Sequence, residues 1–156
     1  MMKKVLFVLA LVVFASCGDD DKNEPKEVVD YTVKNELDIK EYIEANGLDA
    51  TRSDSGLYYV IEEEGTGERP TASSDVTVAY KGYFLDGNVF DQSGSSGATF
   101  PLSGVIAGWT EGITYFKEGG NGILLVPAAL GYGNSDRSGI PGGSVLIFEV
   151  NLIEVN

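Results

Sequence analysis

The chain predicts an α+β fold: an antiparallel sheet of about five strands wrapped around one short helix, preceded by a small helical extension. Three observations carry this. Phe100 to Phe116 is the one stretch where apolar residues in a strand-rich context take helical spacing, at Val105, Trp109, Ile113 and Phe116. On both sides of it the apolar residues alternate or run in short blocks, the pattern of strands. Twenty glycines fit a chain of many turns.

The helical stretch has Ser103 as its expected cap and Lys117 with Gly119-Gly120 as its stop. It makes about three turns, and Gly108 and Gly112 inside it each weaken it by about 1 kcal/mol relative to alanine. Such a helix does not stand alone and must lie across something larger. Before it, Leu57, Tyr59 and Ile61 alternate with Tyr58, Val60 and Glu62, and Val76, Val78 and Tyr80 share one strand face. Asp86-Gly87-Asn88 is a hairpin turn between Tyr83-Phe84-Leu85 and Val89-Phe90. After it come the apolar run Ile123 to Val126, closed by Pro127, and a last strand with Leu146, Phe148, Val150 and Leu152 inward.

Four sections follow in order. Residues 1–16 read as an export signal: Lys3 and Lys4, then an unbroken apolar run from Val5 to Ala15, too short to span a bilayer comfortably. Phe14-Ala15-Ser16-Cys17 resembles a bacterial lipobox, which makes Cys17 the expected site of lipidation and the new N-terminus. Residues 17–34 form an acidic, proline-containing tether. The acids after Cys17 resemble a surface-export signal and are equally well a plain solvated linker. Residues 35–55 form the helical extension, with an apolar stripe of Leu37, Ile39, Tyr42 and Ile43 and a stop at Gly47. Residues 56–156 are the main domain.

Composition removes several chemistries. With 43% apolar and 10% aromatic residues in 156, the chain can build one core. A net charge of −13 argues against nucleic acid as partner. No histidine is present, so no Ser-His-Asp triad, Cys-His pair or histidine-held zinc can form. One cysteine allows no internal disulfide or thiolate cluster. Asp19-Asp20-Asp21 lacks the alternating spacing and closing glutamate of a calcium loop. No metal and no cofactor is expected.

The residues that stand out are instead Tyr80, Phe90, Phe100, Val105, Ile106, Trp109, Tyr132 and Phe148, with Asp91 beside Phe90. Singly, each reads as ordinary core, and Asp91 as a turn or capping acid. Together with their neighbours they resemble a known family. Tyr80-Lys81-Gly82, Leu85-Asp86-Gly87 with Val89-Phe90-Asp91, Phe100-Pro101-Leu102, Val105 to Gly112, Ala129-Leu130-Gly131-Tyr132-Gly133 and Ile140-Pro141 follow the wording and order of FK506-binding-protein (FKBP)-type peptidyl-prolyl isomerases over about residues 56–156.

The resemblance implies an isomerase of X-Pro bonds in exported proteins, working through an apolar pocket that favours the twisted amide over the planar one. It implies Trp109 as the floor and Tyr80, Phe90, Phe100, Val105, Ile106 and Phe148 as walls, with Asp91 pointing inward. Tyr132 and the Ile106 N–H would hold substrate carbonyls, and Ile140 would lie in the overhanging loop. It also implies binding of FK506- and rapamycin-type inhibitors. The Tyr132–Ile140 loop is about one residue shorter than in small family members, Gly142 stands where a stiffer residue is common, and residues 92–97 offer Asp91 no basic partner. A non-catalytic module that grips proline-containing loops is the alternative function, and a surface adhesin or carbohydrate-binding protein a weaker one. The chain is expected to act as a monomer in the cell envelope, anchored to the outer membrane of a Gram-negative bacterium through Cys17.

Overall fold

The computed structural model describes residues 29–137 and 139–156. The export signal, Cys17 and most of the tether lie outside the described residues. The described chain runs α1 (Thr32–Asn46), β1 (Thr51–Arg52), β2 (Tyr58–Glu63), β3 (Asp75–Phe84), β4 (Val89–Gln92), β5 (Ala98–Pro101), α2 (Ala107–Gly112), β6 (Asn121–Val126) and β7 (Leu146–Val155). The strands form one seven-stranded sheet in the order β1-β2-β6-β7-β3-β4, and β5 pairs with the first half of β3. Every pairing is antiparallel. The expected count of about five is exceeded because β1 and β5 are short strands in stretches read as extension and helix approach.

The helical stretch is also shorter than its spacing predicts. Phe100 and Pro101 finish β5, Leu102–Gly104 is one 3-10 turn, and only Ala107–Gly112 is α-helix before a second 3-10 turn at Ile113–Tyr115. The break is at Val105 and Ile106, both extended (ψ 179° and 149°). Ser103 makes no capping bond; the Thr110 hydroxyl instead donates to the Leu102 carbonyl at 2.6 Å and ties the turn to the helix. The apolar spacing survives the break, because Trp109, Ile113 and Phe116 are all buried against Leu57, Val76, Val78 and the inward face of β7.

Gly108 and Gly112, which weaken the helix locally, are what let it approach the sheet. A Cβ on Gly108 would meet Val126 Cγ1 at 2.5 Å, and one on Gly112 would meet Leu124 Cδ2 at 2.7 Å. Gly108→Ala is therefore expected to lower stability by about 1–3 kcal/mol despite alanine's better helix propensity, as overpacking does. A denaturant midpoint at or above that of the wild type would refute this account.

The helical extension begins at Thr32, inside the expected tether, and the sheet begins at Thr51, inside the expected extension. Gly47 ends α1 in the left-handed region (φ 61°), as a helix stop requires. Its inner face is Asn35, Ile39, Tyr42 and Ile43. Ile39 is fully buried against Tyr58, Leu125 and Val145, on the side of the sheet away from α2. Leu37 is not part of that stripe; it lies 61% exposed.

A polar node fastens α1 further. Glu36 accepts from the Tyr58 hydroxyl at 2.7 Å and from Arg52 Nε at 3.2 Å, and pairs with Lys40 at 2.9 Å. The Tyr58 hydrogen bond, then Lys40 and Arg52, outweigh burial and hold the Glu36 carboxyl down at about 2. A carboxyl with a lowered pKa stabilises the fold while ionised. The contribution is therefore full above its ordinary 4.5 and is lost as pH falls toward 2. Melting temperature is expected to drop over that window less steeply in Glu36→Gln than in the wild type; equal slopes would remove Glu36 from the acid limb.

Candidate active site

Trp109 lies on the single α-helical turn and a half that faces the sheet, and three aromatic rings meet it edge-on. Tyr80 from β3 stands 5.1 Å away at 89°, Phe148 from β7 5.4 Å at 81°, and Phe100 from β5 5.7 Å at 82°. Edge-to-face pairs at such spacings each stabilise by about 0.5–1.5 kcal/mol beyond burial, so the indole is held in one orientation. It is 4% exposed, and its buried Nε1–H meets no acceptor among the described residues. Above it opens a hollow of about 470 Å³ lined by Tyr80, Asp91, Phe100, Val105, Ile106, Trp109, Tyr132 and Phe148, together with Gly104, Gly131 and Arg137.

Ile106 is the N-cap residue of α2. Its carbonyl accepts from the Trp109 and Thr110 N–H groups at 2.9 and 3.0 Å, while its own N–H stands outside the helical ladder. Tyr80 donates its hydroxyl to Asp91 Oδ2 at 2.8 Å. Burial first, and then this bond, push the Tyr80 phenol up to about 12. The partner of Asp91 is thus a phenol rather than a cation from residues 92–97. At the mouth, Tyr132 is 37% exposed. Arg137 donates from Nε to the Tyr132 carbonyl at 3.2 Å, with its guanidinium 6.0 Å from the Tyr132 ring.

Two expected pocket residues stand elsewhere. Phe90 does not line the hollow: it packs behind Phe148 (5.6 Å, 89°) and against Phe84 (5.0 Å), in the space left by the missing side chain of Gly82. Ile140 forms an isolated bridge with Arg137 and packs on the core rather than lining the hollow. Arg137 was not among the expected site residues. The available signal was that it is the only cation between Pro127 and Asn156, in the loop that follows Gly131-Tyr132-Gly133. Gly142 also has a local reason. A Cβ there would meet the Asn134 carbonyl oxygen at 2.2 Å, and its N–H is held by Asp136 Oδ1 at 2.8 Å.

Among the described residues the hollow offers an apolar floor and walls, one carboxylate already engaged by a phenol, one guanidinium, and no serine, cysteine or lysine. A profile of FKBP-type peptidyl-prolyl cis-trans isomerases matches residues 66–153. The chain belongs to this family. It is 44% identical over 125 residues to the FKBP-type peptidyl-prolyl cis-trans isomerase FkpA of Escherichia coli K12, a match covering 78% of this chain and 46% of that protein. It is 40% identical over 132 residues to FkpA of Buchnera aphidicola subsp. Baizongia pistaciae, covering 83% and 52%. The chain spans about half the length of the curated relatives it matches. Among solved structures, the crystal structure of E. coli FkpA superposes with a TM-score of 0.72 at 41% identity, over 80% of this chain and 60% of that one. A Pseudomonas syringae peptidyl-prolyl cis-trans isomerase gives 0.69 at 28% identity, over 80% and 96%. The FKBP-type fold therefore accounts for the sheet and the helix that carries Trp109.

Proposed function

We propose that the chain is a peptidyl-prolyl cis-trans isomerase that turns X-Pro bonds in exported polypeptides and so assists their folding. The observation that carries this reading is the open hollow above a buried, edge-clamped Trp109. Rotation about an X-Pro bond is slow because the amide has partial double-bond character, with a barrier of ~18–20 kcal/mol. The twisted amide at the barrier top has less charge separation than the planar one and loses less on leaving water. A dry apolar site binds it more tightly than the ground state, and each ~1.4 kcal/mol of that difference is a tenfold rate gain.

In this reading the proline ring rests on Trp109 between Tyr80, Phe100 and Phe148. The Ile106 N–H and the Tyr132 hydroxyl hold carbonyls on either side of the turning bond, and Val105 closes the rim. The Tyr80–Asp91 bond keeps the phenol neutral and fixed, since its pKa of about 12 leaves it protonated throughout the physiological range. FK506- and rapamycin-type inhibitors compete for the same hollow. A protease-coupled assay on a soluble form beginning near residue 24 is expected to show prolyl isomerisation abolished by FK506. Absence of turnover, or turnover indifferent to FK506, would overturn the reading.

The envelope location and the anchor belong to the same proposal. They are supported by the apolar run Val5–Ala15 ending at Ser16-Cys17. Cys17→Ala is expected to release the protein from the membrane fraction and remove the acyl mass from its N-terminus. As a monomer, the soluble form sediments as a single chain.

A further inference from the structure

Asn35 is the one buried polar side chain among the described residues, 1% exposed. Asparagine is a poor residue for a helix interior, and a buried amide is tolerated only when its groups are bonded. Both of its bonds leave α1 for one loop. Nδ2 donates to the Gly143 carbonyl at 2.9 Å, and Oδ1 accepts the Ala128 N–H at 2.8 Å. Ala128 and Gly143 are the two roots of the segment that carries Tyr132 and Arg137. They are already linked to each other through Gly133: Gly133 N–H donates to the Ala128 carbonyl at 2.8 Å, and Gly143 N–H to the Gly133 carbonyl at 3.0 Å. A second contact, from the N-cap residue of α1, reaches the same root. The Tyr31 ring lies where a Cβ on Gly143 would stand, 2.4 Å from Cδ1, with Gly143 at φ +77°.

We propose that Asn35 is a positioning residue for the site: from outside the stretch matched by the family profile, it clamps both roots of the 128–143 loop. It thereby sets where Tyr132 and Arg137 stand over Trp109. The clamp rests on geometry alone; its bearing on turnover rests on the isomerase reading above. A packing role would be filled as well by leucine, whereas two bonds to backbone groups of opposite kind, one donor and one acceptor, require a side chain that both donates and accepts, as an amide does. Without it the Ala128 N–H would be buried without a partner, and the part-buried Gly143 carbonyl would lose its bond to the amide.

Residue-resolved hydrogen exchange on the full chain tests this. In Asn35→Ala, the amides of Ala128, Gly133 and Gly143 are expected to exchange about tenfold faster, the size of losing a buried hydrogen bond. The β7 amides from Leu146 to Leu152 keep wild-type rates, and kcat/KM falls about tenfold with them. Asn35→Asp separates the clamp from simple packing. Its carboxylate accepts from Ala128 but repels the Gly143 carbonyl, whereas its protonated acid can do both, as the amide does. The charged and titratable groups around that position are Tyr31, Glu36 and Arg52, which line a surface cleft together with Asn35, and Asp136 within the loop. Loop protection and kcat/KM in Asn35→Asp are therefore expected to recover toward wild type, measured at the same pH, as pH is lowered to about 5, since burial raises a carboxyl pKa. In Asn35→Ala they do not recover. Wild-type exchange in the loop of Asn35→Ala overturns the clamp, and so does loosening of loop and β7 together. Faster loop exchange with unchanged kcat/KM overturns the positioning role. A wild-type chain without isomerase activity sinks the enzyme reading but leaves the exchange result to decide the clamp.

Discussion

Trp109→Ala is expected to destabilise the domain by about 3–5 kcal/mol and to reduce isomerase activity to background. The stability loss comes from emptying a site bounded by Tyr80, Phe100 and Phe148, three rings that touch the indole edges and lie on three different strands. They cannot collapse together without moving the sheet, so the cavity remains. The activity loss comes from the same atoms, because the surface on which a proline ring would rest is the indole itself. Equilibrium denaturation and a peptide isomerisation assay check the two halves. Unchanged stability would remove Trp109 from the core, and retained turnover would remove it from the site.

Phe148→Ala is expected to show a stability loss of the same order, about 3–5 kcal/mol, together with loss of turnover. Its ring is 4% exposed, faces Trp109 on one side and Phe90 on the other, and lines the hollow. Phe90→Ala separates lining from support. Phe90 is only half-buried and touches the hollow through Phe148. Its removal should therefore loosen Phe148 and lower kcat/KM by less than Phe148→Ala does, with a smaller stability loss. An activity loss from Phe90→Ala equal to that from Phe148→Ala would place Phe90 in the wall after all.

Much of this was legible in the chain. The period-two residues of β7 and the helical spacing of Trp109, Ile113 and Phe116 each report burial directly, and each is buried on the expected face. The ends of the helix were not legible. Apolar spacing records which side chains turn inward, and it is the same whether the backbone between them is α-helix or 3-10 turn. Only the extended Val105 and Ile106 decide that, and nothing in their side chains demands it. Leu37 lies off the buried stripe because a helix of mixed polarity offers several, and the one that turns inward here carries Asn35 beside Ile39. A polar residue at an inward position has no signature in hydropathy. Arg137 was missed for a related reason: its place over the hollow depends on how the 128–143 loop folds back, which is a property of contacts distant in sequence.

The strand order has a consequence for how the molecule comes into being. Of the described strands the one furthest along the chain, β7, lies in the middle of the sheet between β6 and β3, and it supplies Leu146, Phe148, Val150 and Leu152 to the interior. Until β7 is in place no strand pairing links β6 to β3, and the hollow lacks its Phe148 wall. Long-range pairing of this kind is slow to form. The sheet and the hollow are thus completed together, by the arrival of one and the same strand.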